Sequence, residues 1–360
     1  MKYNYEYDRK LQVGYIGAGE HSYRNILPAF QYAPIDLVAI TDHKSDRGLA
    51  VARQFGARRF YPNHKALLAK ETALDAVMIT VGPDENGRPR YPELAAEALA
   101  AGFHVWIDQP PCLSADEIST FTNACIKKHK YLAVGFARQF VPAYVQAGEI
   151  MADKAFGQIG SYAFRFPVAL PDMARRRTDK GIASFLPVTG VLALLAGLFG
   201  EIQSFSMVRS AAGSGVISLL HTSGVPGALH LTAGQALSAP AERLEVIGRR
   251  ASLVVEDGVK LTYYRRVTPV SDELMGRQDR YLMGDLESAP LVLEPGFDLR
   301  EPSAQHVAQS GYLGSIQSFA EQLLAGQPPK KGTLVDALHV MTVFDRMRRA
   351  KEMDWVQIQG

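Results

Sequence analysis

The turn Gly17-Ala18-Gly19 constrains this chain more than any other feature, because of what flanks it. Leu11 to Ile16 is apolar, β-rich and closed by glycine, which predicts a short buried strand. Arg24 to Tyr32 carries Ile26, Leu27 and Phe30 at helical spacing, which predicts a helix. Strand, glycine turn and helix in that order form a dinucleotide-binding unit. The first glycine permits the tight turn, the second lets backbone approach a pyrophosphate, and the third lets helix pack on strand. Ser22 stands at the third position and is small enough for the same packing. Phosphates would rest on free N–H groups at the positive end of the helix. Glu20 and His21 fill the turn, and His21 either touches phosphate or caps the surface.

Asp42 follows a second strand, Ile35 to Thr41, roughly 20 residues beyond the turn, where a carboxylate hydrogen-bonds the adenosine ribose. A carboxylate repels a 2′-phosphate, so NAD is the preferred cofactor. His43, Lys44 and Arg47 lie just beyond and can offset that repulsion, which keeps NADP open. The alternative is a glycine turn in an α/β domain that holds no nucleotide.

The alternation continues. Helices are expected from Asp46 to Phe55, from Asn63, from Tyr91 to Ala101 and from Ser114, where Glu117 completes a capping box. Strands are expected at Arg59 to Tyr61, Ala76 to Thr80, His104 to Ile107 and Tyr131 to Phe136. Apolar strands alternating with helices specify a doubly wound parallel sheet covered on both faces. That regime ends near residue 136, so residues 1–136 read as a dinucleotide-binding domain and 137–360 as a second domain. In the second, Phe156 to Phe166, Ile202 to Ser210, Val216 to Thr222, Gly227 to Thr232, Arg243 to Gly248, Ala251 to Glu256 and Leu261 to Arg265 read as strands. With few helices between them, they predict an open, mostly antiparallel sheet, one face of which can wall a ligand or a second subunit. Residues 266–304 read as an irregular excursion or lid. Helices Tyr312 to Ala325 and Leu334 to Lys351 close the chain and can pack back on the first domain.

The formal net charge of +2, with no basic block longer than Arg175-Arg176-Arg177, argues against a nucleic-acid surface. The longest apolar stretch, Gly190 to Gly200, is about half of what crosses a bilayer, so no membrane is expected. Met1 to Lys10 has no apolar signal core. Cys112 and Cys125 have no metal-site spacing and fit a reducing cytoplasm. The histidines show no ligand spacing, so no metal is expected.

Several segments in order resemble one known family, the glucose-fructose oxidoreductase / inositol dehydrogenase / MocA-like (Gfo/Idh/MocA) oxidoreductases. They are the glycine turn with Ile26-Leu27-Pro28-Ala29-Phe30, then Ala98 to Val105, Asp108-Gln109-Pro110, Val134 to Phe140, Phe156 to Gly160, Leu244 to Gly248 and Asp336-Ala337-Leu338. The resemblance covers almost the whole chain. It implies a Rossmann domain, a C-terminal α/β domain on an open antiparallel sheet, and a homo-oligomer, dimer or tetramer, built through that sheet. It also implies NAD(P)-linked redox chemistry on a small sugar or polyol. Thr80, Val81, Asp108, Gln109 and Pro110 would then join Gly17, Gly19, Glu20, His21, Ser22, Asp42 and His43 at the cofactor. The Gln109–Pro110 bond would be cis and shape the pocket.

The departures fall where the chemistry belongs. The family's Glu-Lys-Pro motif reads Asp108-Gln109-Pro110, and glutamine has no proton to exchange near neutral pH. The histidine and aspartate of a second motif fall on Leu192 and Leu195, and Tyr91 stands where many members carry histidine. Replacement groups would have to reach the carboxyl ends of the parallel strands. Gln109 either orients a carbonyl or is a drifted pocket residue. Tyr312 is either an acid or a tyrosine packed at a helix start. Arg138 and Gln139, after the sixth strand, are either substrate contacts or surface residues. Arg177 and Lys180 either meet an anionic substrate or belong to a solvated basic loop. Cys112 has no activating partner in the sequence and reads as core.

The expected function is an NAD(P)-dependent oxidoreductase acting on a hydroxyl or carbonyl of a small polar molecule, with non-standard acid/base groups. The alternative is a dinucleotide- or ligand-binding member without redox turnover, in a sensor or assembly role. A third reading is an NAD that cycles internally during hydrolysis or epimerisation.

Overall fold

Apolar β-branched runs separated by helices leave the N-terminal strands no stable arrangement but a sheet buried on both faces. The computed structural model describes residues 1–172, 174–265, 289–295, 307–351 and 353–358. It divides into two units, one holding Met1–Val141, Pro171–Leu195 and, among described residues, 307–349; the other holds Pro142–Leu170 and most of the remainder.

In the first unit, β1 (Leu11–Ile16), β2 (Ile35–Thr41), β3 (Arg59–Tyr61), β4 (Ala76–Ile79), β5 (His104–Asp108) and β6 (Leu132–Gly135) form a parallel sheet in the order β3-β2-β1-β4-β5-β6. The strand order reverses between β1 and β4, and ligands of such sheets bind beyond the carboxyl ends at that point. Helices α1 (Ser45–Phe55) and α2 (His64–Lys70) follow β2 and β3. Gly56 ends α1 in the left-handed region at φ 72°, and the Asn63 side chain caps α2 by accepting from the Ala66 N–H. α3 (Tyr91–Ala100) follows β4 and α4 (Ile118–Lys128) follows β5.

The helix Tyr312–Leu324 is anchored on this sheet. Trp106, fully buried on β5, donates its indole N–H to the Ser315 hydroxyl at 3.2 Å. Ser315 lies one helical turn from Tyr312, so this bond also sets where Tyr312 stands.

Among the described residues of the second unit, nine strands form one sheet: β7 (Ser161–Phe166), β8 (Ile202–Arg209), β9 (Gly215–His221), β10 (Pro226–Leu231), β11 (Arg243–Ile247), β12 (Ser252–Glu256), β13 (Lys260–Tyr264), β14 (Leu291–Leu293) and β15 (Val356–Gln357). Every pairing is antiparallel except β7 with β10. The expected fold class, a parallel Rossmann sheet with a mostly antiparallel second sheet, is the observed one.

Local expectations fail in instructive places. The helix expected over Arg24 to Tyr32 is a wide turn, Ser22–Ile26, followed by a 3-10 helix, Leu27–Tyr32. Pro28 has no N–H to give to residue 24, so a regular helix cannot run through. The strand expected from Phe156 begins only at Ser161, because Gly157 takes φ 77° in a turn. The Ser114–Glu117 capping box does not form; Asp345 from the helix Leu334–Arg349 accepts the Ala115 N–H at 2.8 Å instead. Within the expected 266–304 excursion, Leu291–Leu293 is a strand paired with β13; residues 266–288 and 296–304 lie outside the described residues. Among the described residues no single helix is long and apolar enough to cross a membrane. No group of three or more His, Cys, Asp or Glu is arranged to hold a metal among them.

Candidate functional site

The site begins with two glycines that need to be glycine for different reasons. Gly17 has φ 103°, and a Cβ there would lie 2.1 Å from the Thr80 carbonyl oxygen, so the turn presses backbone against the end of β4. A Cβ at Gly19 would meet nothing within 4 Å. That open face borders a cavity of about 950 Å³, near the top of the roughly 300–1,000 Å³ usual for small-molecule sites. Gly82 opens on the same space. Ser22 is buried and donates its hydroxyl to the Thr80 carbonyl at 3.3 Å, tying the turn to β4 as a third glycine would.

Gly19, Glu20, His21, Ser22 and His43 line the cavity, as do Thr80 and Val81. Asp108, Gln109, Pro110 and Tyr312 complete the expected set that shares this wall. The Gln109–Pro110 bond is cis. Gly17 and Asp42 are not among the lining residues. Arg138 is half-buried, and its charge acts on Tyr312. Gln139 gives its amide N–H to the Ala193 carbonyl at 2.7 Å. Arg177 and Lys180 are exposed, whereas Arg176, just before them, is buried and reaches the carbonyls of Pro171 and Arg348. Cys112 is buried, and its thiol is pushed well up by that burial.

Asp42 is fully committed inside the protein. Its side chain is 1% exposed, and each oxygen accepts two hydrogen bonds. Ala18 N–H and Arg47 reach Oδ2 at 2.7 and 2.8 Å; Lys44 N–H and Arg47 reach Oδ1 at 2.8 and 2.7 Å. Burial alone would raise its carboxyl, but Arg47 and the N–H groups of Lys44 and Ala18 outweigh it and hold it below the usual range. Arg47 and His43, by contrast, face the cavity. From the sequence Arg47 is only an offset to the Asp42 charge; the fold places it at the wall.

The second motif region supplies packing rather than a base. Leu192 and Leu195 are fully buried in the core. Gly190 in the helix Val188–Phe199 lies against Gln109: a Cβ there would come 2.6 Å from Gln109 Oε1. That buried oxygen has no hydrogen-bond partner among the described residues. An orphaned acceptor at a cavity wall calls for a donor from a bound molecule.

Three titratable groups meet beside it. His21 Nε2 is 3.0 Å from Asp108 Oδ2 and 3.1 Å from the Tyr312 hydroxyl. Asp108 is buried and also accepts the Gln109 N–H at 2.8 Å. Burial raises the Asp108 carboxyl against the opposing pull of His21, and the hydrogen bond to Asp108 raises His21. Burial also pushes the Tyr312 and Tyr91 hydroxyls upward. Tyr91, where many family members carry histidine, is buried at the wall. His21 and Tyr312 are each visible as single candidates in the sequence; their meeting with Asp108 has no local signal.

The residues fit a dinucleotide: the open faces of Gly19 and Gly82, the Arg47 cation and the polar groups of His21, Asp108 and Tyr312 border one space. A family model described as an oxidoreductase family with an NAD-binding Rossmann fold (GFO_IDH_MocA) matches residues 11–136. D-xylose 1-dehydrogenase (NADP(+)) 2 of Haloferax volcanii is 30% identical over 164 residues, 46% of this chain and 48% of that protein. The chain thus spans about half the length of that relative. A dTDP-3,4-didehydro-2,6-dideoxy-alpha-D-glucose 3-reductase of Actinomadura kijaniata is 23% identical over 349 residues, 94% of this chain and 95% of the other. An oxidoreductase from Agrobacterium radiobacter, solved with NAD+, L-tartaric acid and magnesium, superposes with a TM-score of 0.74 at 16% identity, covering 97% of this chain and 98% of that one. At that identity the likeness is one of fold.

Proposed function

This chain belongs, through residues 11–136, to the GFO_IDH_MocA oxidoreductase family, and on that premise we propose that it is an NAD(P)-dependent oxidoreductase acting on a hydroxyl or carbonyl of a sugar- or polyol-like molecule. The observation that carries the reading is that the open faces of Gly19 and Gly82 share one cavity with His21, Asp108 and Tyr312. The matched relatives act on a sugar and on a sugar nucleotide, as their names state, and neither favours a role without redox turnover.

The dinucleotide, when bound, supplies a two-electron carrier for the hydrogen on the substrate carbon. The chain's own residues bind and orient. Backbone at Gly17 to Ser22 meets the pyrophosphate; Thr80, Val81, Asp108 and Pro110 frame the nicotinamide end. The orphaned Gln109 oxygen accepts from the nicotinamide amide or from a substrate hydroxyl. Arg138 and Gln139 belong to the substrate side; Arg177 and Lys180 reach an anionic substrate only from the exposed loop.

Both cofactors are accepted in this proposal, with Arg47 deciding their ratio. With Asp42 already saturated by donors, the Arg47 cation and the His43 ring are what a ribose 2′-phosphate would meet. Residues 1–136 carry the cofactor, and 137–360 the substrate contacts and self-association. The exposed Val208 and Val216, paired across β8 and β9, favour a homo-oligomer through the second sheet. The free buried Cys112 and Cys125 suit a reducing cytoplasm.

Mass spectrometry of gently purified protein is expected to find NAD(H) or NADP(H). A screen of polyols, sugars and sugar acids, read at the reduced-nicotinamide absorbance, is expected to find turnover. Absence of any calorimetric binding of either dinucleotide would refute the proposal.

A further inference from the structure

Gln109 and Leu192 leave the expected proton-transfer positions without a titratable group, while three other elements bring one each to a single point. The glycine turn contributes His21, the end of β5 contributes Asp108, and the first residue of the helix Tyr312–Leu324 contributes Tyr312. The contacts are 3.0 Å between His21 Nε2 and Asp108 Oδ2 and 3.1 Å between Nε2 and the Tyr312 hydroxyl. The Asn25 carboxamide lies 3.0 Å from Nδ1 and holds the other side of the ring. All three titratable residues border the cavity that the glycine turn opens on.

Resting on the oxidoreductase reading above, we infer that acid/base catalysis in this chain has moved into the cofactor turn: Tyr312 contacts the substrate oxygen, His21 receives its proton, and Asp108 positions the imidazole. In the oxidising direction the resting neutral imidazole carries its hydrogen on Nδ1, against the Asn25 carboxamide, and Nε2 is the acceptor; the substrate O–H bond breaks, its proton enters the Tyr312 hydroxyl, and Tyr312 passes its own proton to Nε2. The resulting imidazolium is balanced by the Asp108 carboxylate. The carbinol C–H bond breaks with it, and the hydrogen leaves with both bonding electrons to the oxidised nicotinamide dinucleotide. The substrate thus loses two hydrogens and two electrons and becomes a carbonyl; reduction runs each transfer backward.

The surroundings suit a group that must gain and lose a proton near neutrality. Asp108 faces the imidazole from β5 and Tyr312 from the helix Tyr312–Leu324. Asp108 and Tyr15 act on Tyr91 and Tyr312, and the Arg138 charge acts on Tyr312. Glu20, next to His21, is engaged by Arg24 at 2.9 Å. The one strong electrostatic partner of the imidazole among the described residues is therefore Asp108. Its hydrogen bond raises His21 above the ordinary histidine value.

The test combines kinetics with a readout that needs no turnover. Histidine ring-carbon NMR of the cofactor-free protein, with the signal assigned through His21→Asn, should show a His21 midpoint above about 6.5. That midpoint should fall in Asp108→Asn. His21→Asn should lower kcat by roughly 10²-fold or more and abolish the near-neutral limb of the pH profile. Tyr312→Phe should lower kcat without raising the dinucleotide Kd. Wild-type kcat and pH profile in His21→Asn, or a His21 midpoint indifferent to Asp108→Asn, would overturn the inference alone. Failure of the unaltered chain to bind either dinucleotide overturns it together with the reading it rests on.

Discussion

The Gln109 carboxamide packs against the bare Cα of Gly190, with 2.6 Å between its oxygen and the position a Cβ at 190 would take. Two motif positions, one after β5 and one in the helix Val188–Phe199, have been fitted to each other in the first unit. The contact holds Gln109 at the cavity wall and leaves its oxygen for a bound donor. Gly190→Ala is expected to push the carboxamide out of place. Alanine is worth about 1 kcal/mol over glycine in a helix, so the melting temperature should hold while kcat/KM falls. Thermal unfolding beside steady-state kinetics checks the split, and a large loss of stability would count against it.

Arg47 separates the two cofactors. Its removal strips the cation a 2′-phosphate would meet, so Arg47→Ala should weaken NADPH binding by about 1.5–3 kcal/mol, the range for a charged hydrogen bond, and weaken NADH much less. Fluorescence titration of both reduced cofactors reads the two affinities. Equal losses would place Arg47 outside the specificity contact.

Asp42 links the turn to acid stability. Its folded carboxyl sits below the unfolded value of about 3.9, despite burial, because Arg47, Lys44 N–H and Ala18 N–H favour the ionised form. A depressed carboxylate stabilises the fold above the unfolded pKa, and that contribution is lost as pH falls through the folded one. Asp42→Asn should therefore destabilise the protein at neutral pH and flatten the acid limb of a urea-midpoint-versus-pH curve. An acid limb identical to wild type would refute this.

Ser315 holds Tyr312 from a distance. Ser315→Ala leaves the fully buried Trp106 indole N–H without its acceptor, at a cost of about 1–3 kcal/mol. Urea unfolding should register that loss. Because Ser315 and Tyr312 share one helical turn, kcat should also drop in the folded variant. Restoration by Ser315→Thr would separate the hydroxyl's role from simple packing.

The secondary structure was legible wherever its cause is local. Gly56 ends α1, Asn63 caps α2, and the apolar runs of β1, β4 and β5 could be read one residue at a time. Expectations failed where a distant residue took over. Ser114 was read as a cap from its own neighbours, but Asp345 occupies that role from 230 residues away. Nothing local in Arg175-Arg176-Arg177 tells its members apart, yet Arg176 turns inward to the Arg348 carbonyl.

The glycine turn, the β–α alternation and the substitution of Gln109 and Leu192 at motif positions were determined by sequence alone, because each rests on backbone conformation or residue identity at one place. The partnership of His21 with Asp108 and Tyr312 was decided by tertiary structure. Its members lie on a loop, a strand end and a helix start, with 291 residues between His21 and Tyr312. Hydrogen bonds about 3 Å long depend on where the sheet and the helix Tyr312–Leu324 come to rest, and that is set by packing such as Trp106 against Ser315.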